Sequence, residues 1–355
     1  MSNLNEFFST APFSLIREEK QEMLDRRLTE LTSIHYGRCA PYRRILDAMR
    51  VDPEVIKSYR DMPFLPVALF KELDLMSIDE SEIAKTMTSS GTTGQAASKV
   101  YLDKETASNQ QKTLVKIVGD FTGASRMPML IIDSPTVLKD RNSFSARGAG
   151  ILGFSIFGSD RIYALNENIE LDIPAVEAFL EKHKGKRILV FGFTYMVWLH
   201  FYSELVKLKK RVDLQAGILI HGGGWKRLIG EAVSKADFKE QLKSACGLTD
   251  VHDYYGMVEQ TGCIYMECGY GYLHASIYSD VITRRHIDFS PCGFGEPGIV
   301  QVVSVLPESY PGHSLLTEDE GVIIGEDDCL CGRKGKYFHI NGRLKQAELR
   351  GCSDV

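Results

Sequence analysis

The sequence predicts an α/β fold with a largely parallel sheet, followed by a small β-rich subdomain. Short apolar runs bounded by polar residues or glycine have the pattern of buried strands. These runs lie at 128–133, 187–193 and 216–224. Helical stretches such as 174–184 and 195–210 separate the runs, and this alternation is typical of a parallel sheet covered on both faces. After about residue 264 alternating segments are separated by Gly and Pro, which predicts antiparallel or barrel-like strands.

The remaining elements follow in chain order. Residues 13–50 are helix-rich, with apolar positions three and four apart among many charges, and 105–121 is a further predicted helix. Between them, 87–102 is a loop of small residues. We therefore expect an α/β core at 1–263, a β-rich subdomain at 264–340 and a hinge-like tail at 341–355.

Composition limits the class of protein. The 355 residues are 44% hydrophobic and 25% charged, as in a soluble globular enzyme, and the net charge of −5 gives no basic footprint for nucleic acid. The N-terminus lacks the pattern of a signal peptide, and the apolar stretch 188–202 is shorter than the ~20 residues that span a bilayer. We expect a cytoplasmic protein without a membrane span, whose eight cysteines are thiols or metal ligands.

The segment "TSSGTTG" (88–94), with Lys99 five residues on, is a candidate phosphate-binding loop. Hydroxyls and glycine amides on one loop can wrap a phosphate chain, and a nearby cation can neutralise it. The spacing is not that of a Walker A loop. Taken alone, the segment is equally compatible with a plain linker.

Other segments supply the remaining parts of a nucleotide site. "HGGGWK" (221–226) offers backbone against which a flat ring can lie, and "DYYGMVEQTG" (253–262) offers aromatic faces and Glu259, a hard oxygen ligand for magnesium. Asp319 can accept hydrogen bonds from sugar hydroxyls and Arg343 can donate to them. Lipases use an HGGG-type segment for an oxyanion hole, but they also need a G-x-S-x-G elbow, which this sequence lacks.

In this order and spacing, the segments resemble the core motifs of the adenylate-forming superfamily, over roughly residues 60–352. The resemblance implies the N-terminal domain of such enzymes, with Rossmann-like subdomains and without their mobile C-terminal domain. It implies that the ATP phosphates are bound by Ser89, Ser90, Gly91, Thr92, Thr93, Gly94 and Lys99. The adenine pocket that it implies consists of Gly223, Gly224 and Tyr255.

The same resemblance assigns Mg²⁺ to Glu259 and the ribose to Asp319 and Arg343. The chain departs from the superfamily pattern in one position. A threonine that contacts the α-phosphate usually precedes the glutamate, and here Val258 stands there. Either Thr261 substitutes for it or the phosphate contact is weaker.

The chain also resembles a closer family, the LuxE-type acyl-protein synthetases, in "HGGGWK", "GMVEQTG" and the "RGC" at 350–352. The resemblance implies a long-chain-fatty-acid–protein ligase that forms an acyl-adenylate, transfers the acyl group to Cys352 and passes it to a reductase or carrier protein. Arg350 would lower the pKa of the Cys352 thiol. The superfamily's C-terminal catalytic lysine is missing, so Lys99, Arg343 and Lys345 or a partner must supply the positive charge. An incidental exposed thiol is the alternative.

A second group of cysteines predicts a structural zinc site. Cys268 and His274 lie in "ECGYGYLH", and Cys329 and Cys331 form "CLC" at the end of a predicted hairpin. Two such pairs can supply the four N and S ligands of a closed tetrahedral site. The segments also resemble those of phenylacetate-CoA ligase relatives, in which such a site can staple the β-rich subdomain.

Ordinary thiols are the alternative to this zinc site. If one of the four assignments is wrong, Cys263 and Cys292 are the replacement ligands.

The expected function is therefore ATP- and Mg²⁺-dependent activation of a carboxylic acid, a fatty acid by resemblance, followed by transfer to Cys352. Two further hypotheses remain: a ligase that releases the acyl group to coenzyme A or an amine, and a non-catalytic nucleotide-binding subunit. The segment 145–158 mixes small and large apolar residues, and lining of an alkyl tunnel and ordinary packing are equally compatible with it.

Overall fold

The computed structural model describes residues 4–89, 97–138, 146–225 and 232–344. The chain divides into two compact units. The first takes in the described residues of 1–121 and 256–351, and the second takes in those of 122–255. The boundaries that the sequence suggests at 263 and 340 stay a prediction.

The α-helices are α1 (Asn5–Ser9), α2 (Arg17–Arg38), α3 (Ala40–Met49), α4 (Leu69–Glu72), α5 (Lys104–Thr122), α6 (Ala146–Phe154), α7 (Ile173–Lys182), α8 (Thr194–Met196), α9 (Ser203–Lys207) and α10 (Lys235–Cys246). A π-helical segment, Val197–Tyr202, connects α8 to α9. Short 3₁₀ helices lie at Pro53–Val55, Tyr59–Asp61, Glu80–Glu82, Pro135–Leu138, Ser155–Phe157 and Val258–Gln260.

The strands are β1 (Leu65–Pro66), β2 (Lys85–Thr88), β3 (Lys99–Leu102), β4 (Met127–Ile132), β5 (Gly158–Tyr163), β6 (Ile188–Phe193), β7 (Gly217–Gly222), β8 (Asp250–Tyr255), β9 (Tyr265–Glu267), β10 (Leu273–His274), β11 (Ser279–Arg284), β12 (Pro297–Ser304), β13 (Ser314–Glu326) and β14 (Lys336–Arg343). Among the described residues, no helix combines the length and apolar character needed to cross a membrane.

The first unit contains an antiparallel sheet. Its strands follow the order β11-β12-β13-β14-β10-β9, and β1 pairs in parallel with β13. β2 and β3 form a separate antiparallel hairpin. The antiparallel strands predicted after residue 264 are confirmed. In β13 buried and partly buried residues alternate from Gly321 onward, because one face of this part of the strand lies on the core.

A buried group of charges anchors the long helix α2 to this sheet. The Asp280 carboxylate lies 3.3 Å from Nζ of Lys20 in α2 and 2.5 Å from Nζ of Lys336 in β14, and it also accepts a hydrogen bond from the Tyr59 hydroxyl. Asp280 is 1% exposed, and a buried carboxylate is stable only when it is paired and hydrogen-bonded.

The second unit is a parallel sheet in the order β5-β4-β6-β7-β8. The three apolar runs predicted as strands become β4, β6 and β7, whose residues are all buried. Helix α7 begins where the Asp172 side chain accepts a hydrogen bond from the Ala175 N–H, and α10 begins where Ser234 does the same for Asp237. The α/β fold with a parallel sheet is therefore confirmed, and the carboxyl ends of its five strands lie at one edge.

Candidate functional site: a nucleotide site and a Cys/His cluster

The predicted phosphate loop is carried by the β2–β3 hairpin of the first unit. Thr88 and Lys99 are directly paired, so the lysine lies at the base of the loop. Next to this pair, the Ser89 N–H donates to the Ser98 carbonyl over 3.1 Å, and the Ser98 N–H donates to Ser89 Oγ over 2.9 Å. The predictions for Ser90, Gly91, Thr92, Thr93 and Gly94 lie outside the described residues.

Glu259 is a buried carboxylate close to this hairpin. It lies in the 3₁₀ helix Val258–Gln260, which β3 contacts, and it is 6% exposed. Burial raises the pKa of the Glu259 carboxyl, although Ser98 and Lys71 favour the charged form. Across the described residues, no basic side chain lies within ion-pair distance of this carboxylate. A divalent cation would supply the missing positive charge, so the position fits a Mg²⁺ ligand.

The backbone around Glu259 is fixed by side chains that the sequence did not single out. The Tyr310 hydroxyl donates to the Glu259 carbonyl over 2.8 Å. Gln260 Nε2 donates to the carbonyls of Gly312 and Val302 over 2.9 and 3.2 Å. A three-residue 3₁₀ helix satisfies few of its own carbonyls, and these bonds hold the turn against the β12–β13 connection.

Thr261 follows the same turn. Its hydroxyl donates to the Val258 carbonyl over 2.9 Å. The proton of this hydroxyl is therefore used locally, and only its lone pairs are left for a further partner. The suggestion that Thr261 replaces the missing threonine stays a prediction.

The two ribose candidates meet through strand register. Asp319 in β13 is directly opposite Arg343 in β14, and the Leu344 N–H donates to the Glu318 carbonyl beside them. Directly opposed residues project from the same face of a sheet, with Cβ atoms about 4.5–5.5 Å apart. Arg343 is exposed and Asp319 is half-buried. An acceptor and a donor for sugar hydroxyls therefore share one face of the first unit.

In the second unit, the predicted adenine residues follow the carboxyl ends of neighbouring strands. Gly222 at the end of β7 pairs with Tyr254 near the end of β8. Gly223 and Tyr255 are the residues that directly follow this pair in the two parallel strands. Gly223 has φ of +80°, and a Cβ there would lie 2.6 Å from Phe193 Cδ1. The glycine is required because the Phe193 ring packs against its backbone.

The four predicted zinc ligands come together in the first unit. The Sγ atoms of Cys268, Cys329 and Cys331 and a ring nitrogen of His274 all lie within 4.8 Å of one another. Cys268 Sγ is 4.0 Å from Cys329 Sγ, and Cys331 Sγ is 3.4 Å from His274 Nε2. Ligand atoms of a tetrahedral zinc with Zn–S bonds of about 2.3 Å are about 3.5–3.8 Å apart, so the spacing fits zinc.

Two hairpin turns create this Cys/His cluster. Cys268 follows β9 and His274 lies in β10, while Cys329 and Cys331 lie in the turn between β13 and β14. The strands β10 and β14 pair in antiparallel fashion, and His274 at the end of the two-residue β10 is opposite Tyr337, near the start of β14 and the turn that carries Cys329 and Cys331. Burial, with the positive charges of Arg333 and Lys20, lowers the pKa of His274 to about 4. The imidazole is therefore neutral at pH 7, as a metal ligand must be.

The other described cysteines lie outside the cluster. Cys263 is buried and lies 3.1 Å from the Ser304 hydroxyl, and Cys292 lies beside the Pro297 carbonyl. Neither replaces a predicted ligand. Cys39 and Cys246 are buried. Cys352, the predicted acyl acceptor, and Lys345 lie outside the described residues.

The described part of the apolar segment 145–158 forms α6 and the 3₁₀ helix that follows it. Ile151 and Phe154 are buried, and the Phe154 ring stacks on Phe191 at a centroid distance of 4.3 Å. These contacts are those of a helix packed on the sheet. They support the packing interpretation for these two side chains, and the alkyl tunnel stays a hypothesis.

Comparison with known proteins gives a match over almost the whole chain. The family described as acyl-protein synthetase, LuxE, matches residues 2–355. The long-chain-fatty-acid–luciferin-component ligase of Vibrio harveyi is 22% identical over 98% of this chain and 90% of its own length. The protein of that name from Aliivibrio fischeri is 23% identical over 98% of this chain and 91% of its own length.

Among solved structures, the fold is similar to that of a 2-hydroxyisobutyryl-CoA ligase in an open conformation, in complex with 2-HIB-AMP and CoA. The TM-score is 0.72 at 14% identity, over 94% of this chain and 77% of the ligase chain. At this identity the likeness concerns the fold, which is that of adenylate-forming enzymes.

Proposed function

The chain belongs to the acyl-protein synthetase family, LuxE, and from this we propose that it activates a fatty acid with ATP and transfers the acyl group to its own Cys352. The structural observation that carries the proposal is the register that sets Asp319 opposite Arg343. Two motifs more than twenty residues apart in sequence thereby present one acceptor and one donor on the same face, as ribose recognition requires.

Activation is the first step of the proposal. A carboxylate oxygen of the acid attacks the α-phosphorus of ATP, the bond to the β-phosphate oxygen breaks, and pyrophosphate leaves. Lys99 and the loop after Ser89 bind the phosphates, while Asp319 and Arg343 hold the ribose, and Gly223, Gly224 and Tyr255 hold the adenine. Glu259 binds Mg²⁺, which when present neutralises charge on the phosphates.

Transfer is the second step. The Cys352 thiolate attacks the acyl carbonyl of the adenylate, a thioester forms, and AMP leaves with the phosphate oxygen that was bonded to the acyl carbon. The proton of the thiol is lost to solvent beforehand. In the segment "LRGCSDV", a cysteine thiolate is a better nucleophile than the serine hydroxyl, because the segment contains no evident general base to activate a hydroxyl. A reductase or carrier protein then accepts the acyl group.

We also propose that the Cys/His cluster holds one structural Zn²⁺. The four residues fit in number, type and spacing, and they tie the β9–β10 turn to the β13–β14 turn. When bound, zinc would add its binding free energy to the stability of this end of the sheet. It takes no part in the proposed chemistry.

ATP–pyrophosphate exchange across a panel of carboxylic acids tests the activation step. We expect exchange that depends on the acid and is largest for a long-chain fatty acid. Absence of exchange with every acid would favour a non-catalytic nucleotide-binding subunit. Exchange without acyl label on the denatured protein would favour release of the acyl group to coenzyme A or an amine.

A further inference from the structure

A polar cluster in the second unit lies outside the nucleotide motifs and the Cys/His cluster, and its central residue, Arg147, belongs to the segment 145–158. Arg147, in the first turn of α6, has its Nε atom 3.1 Å from Oδ2 of Asp133. Arg147 Nη1 donates to the Tyr195 hydroxyl over 2.7 Å. The Asp133 side chain is 1% exposed, whereas that of Arg147 is 25% exposed. The cluster therefore combines a buried carboxylate with a guanidinium that is partly exposed to solvent.

The two partners of Arg147 come from the carboxyl ends of adjacent strands. Asp133 directly follows β4, and its Oδ1 accepts the Ser134 N–H over 2.7 Å. Tyr195 lies in α8, which directly follows β6, and β4 and β6 pair in parallel. A buried carboxylate needs its counter-charge, so the guanidinium is held in one orientation. In open parallel sheets this edge is where ligands bind.

Part of the guanidinium is not used by these contacts. An arginine has five N–H donors. Nη1 gives one of them to the Tyr195 hydroxyl, and Nε lies within ion-pair distance of Asp133 Oδ2 without forming a hydrogen bond to it. Nη1 also makes a weak contact with Met196 Sδ at 3.8 Å. Both terminal nitrogens thus keep a donor, which is the requirement for an end-on, two-pronged bond to a carboxylate.

The surroundings connect this guanidinium to apolar surface and to the glycines of the predicted adenine pocket. One turn after Arg147, a Cβ on Gly150 would lie 3.0 Å from Phe193 Cζ. Gly223 packs on the same Phe193 ring. The helix that carries Arg147 and the segment that carries Gly223 therefore both pack against the Phe193 ring, at the carboxyl-terminal edge of the sheet.

We propose that Arg147 binds the carboxylate of the acid substrate, with Asp133 and Tyr195 as positioning residues. The inference rests on the proposed function and extends it by naming the group that recognises the acid. A fixed guanidinium orients the carboxylate and favours its ionised form, the form that attacks phosphorus. It also distinguishes an acid from the uncharged alcohol or aldehyde of the same chain length.

Kinetics of ATP–pyrophosphate exchange test the proposal with a matched pair of variants. Arg147→Gln should raise the acid concentration for half-maximal exchange at least tenfold and leave that for ATP within twofold. Arg187→Gln is the control, because Arg187 pairs with Asp250 over 2.7 Å at the opposite, amino-terminal edge of the same sheet. Equal effects of the two variants on the acid concentration would overturn the proposal.

Arg147→Lys and Tyr195→Phe keep the test decisive if Arg147→Gln does not fold. Lysine retains the charge beside Asp133 but lacks the two-pronged geometry, and phenylalanine removes only the positioning hydroxyl. Each should raise the acid concentration for half-maximal exchange about threefold or more. Unchanged values in both variants would contradict a role for Arg147 in acid recognition.

A binding measurement separates this inference from the proposed function. Displacement of fluorescent cis-parinaric acid by hexadecanoic acid and by hexadecanol needs no ATP and no turnover. Wild type should prefer the acid at least tenfold, and Arg147→Gln should lose the preference while binding hexadecanol as before. If wild type shows this acid preference but no ATP–pyrophosphate exchange, the proposed function is wrong and the Arg147 assignment stands. If the acid preference survives in Arg147→Gln, the Arg147 assignment is wrong and the proposed function stands.

Discussion

Asp319 contributes a single side chain whose proposed bonds can be measured directly. In Asp319→Ala, the loss of hydrogen bonds between a charged acceptor and ribose hydroxyls should cost about 1.5–3 kcal/mol of binding free energy, or roughly 10- to 150-fold in affinity for ATP. Calorimetric titration with MgATP measures the change. Glu320→Ala is the control, because adjacent strand residues project from opposite faces, and its nucleotide affinity should stay that of wild type.

Tyr310 offers a test of how Glu259 is positioned. Tyr310→Phe removes the donor to the Glu259 carbonyl, which should cost about 1–3 kcal/mol in stability and raise the Mg²⁺ concentration for half-maximal exchange. Tyr278→Phe is matched, because that buried hydroxyl donates to the Phe7 carbonyl over 3.0 Å within the same unit. It should lose similar stability with no change in Mg²⁺ dependence. An equal Mg²⁺ shift in both variants would exclude a specific role for Tyr310.

Single functional residues can be predicted from the sequence when they lie in short local motifs. Residues that act through contacts with residues distant in sequence cannot be predicted in this way. Glu259, Asp319 and the four cluster ligands stand in short recognisable segments. Tyr310 and Arg147 do not, since Arg147 meets Tyr195 across 48 residues and Tyr310 meets Glu259 across 51. Only the fold establishes such pairs.

Among the elements, the two turns that form the Cys/His cluster carry a testable prediction. Cys331→Ser should lower both the zinc content and the thermal midpoint, because the binding free energy of a structural metal is folding free energy. Metal analysis after purification without added zinc, with thermal unfolding, measures both. Cys292→Ser, outside the cluster, should change neither. A wild-type protein that is metal-free, folded and stable would contradict the zinc proposal.

Helix α2 contributes a pH dependence through buried His35. Its Nδ1 lies 2.7 Å from Ser77 Oγ and its Nε2 lies 3.0 Å from the Pro307 carbonyl, and burial lowers the pKa of His35 from 6.5 to about 3. Below pH 6.5 the unfolded state binds the proton and the folded state does not. The free energy of unfolding should therefore fall as the pH drops from 6.5 towards 3, by up to about 1.4 kcal/mol per unit from this group.

Urea unfolding of wild type and His35→Gln at pH 7, 6 and 5 measures this dependence. Glutamine can keep a donor to the Pro307 carbonyl but cannot take up a proton. The variant should lose less stability than wild type over this range. Equal losses would mean that His35 does not carry the pH dependence.

Elements with a clear periodicity were predictable from sequence, and elements that depend on packing were not. The apolar runs at 128–133 and 187–193 are strands, because every residue in a doubly covered parallel sheet is buried. The helical stretch predicted at 195–210 is confirmed over most of its length, and the structure divides it into α8, a π-helical segment and α9. The wider turn of Val197–Tyr202 leaves no mark in the apolar spacing, because Val197, Trp198 and Phe201 are buried either way.

At the scale of the whole molecule, the first unit is built from two segments of the chain, and the second unit lies between these segments in the sequence. Composition changes along a chain can suggest where strands become antiparallel, but they do not reveal that residues before 122 belong with those after 255. The motif order along the chain nevertheless predicted the α/β fold and the family. Those motifs must lie at fixed places in the fold for a nucleotide to bind.

The central claim is that one protein both activates an acid and accepts the acyl group on Cys352. The most direct measurement is acyl labelling of wild type and Cys352→Ser with ATP and a radiolabelled fatty acid, alongside ATP–pyrophosphate exchange. Wild type should carry a hydroxylamine-sensitive label on the peptide containing Cys352. Cys352→Ser should lose that label and keep exchange. A variant that is still labelled, or one that loses exchange while it remains folded, would contradict the account.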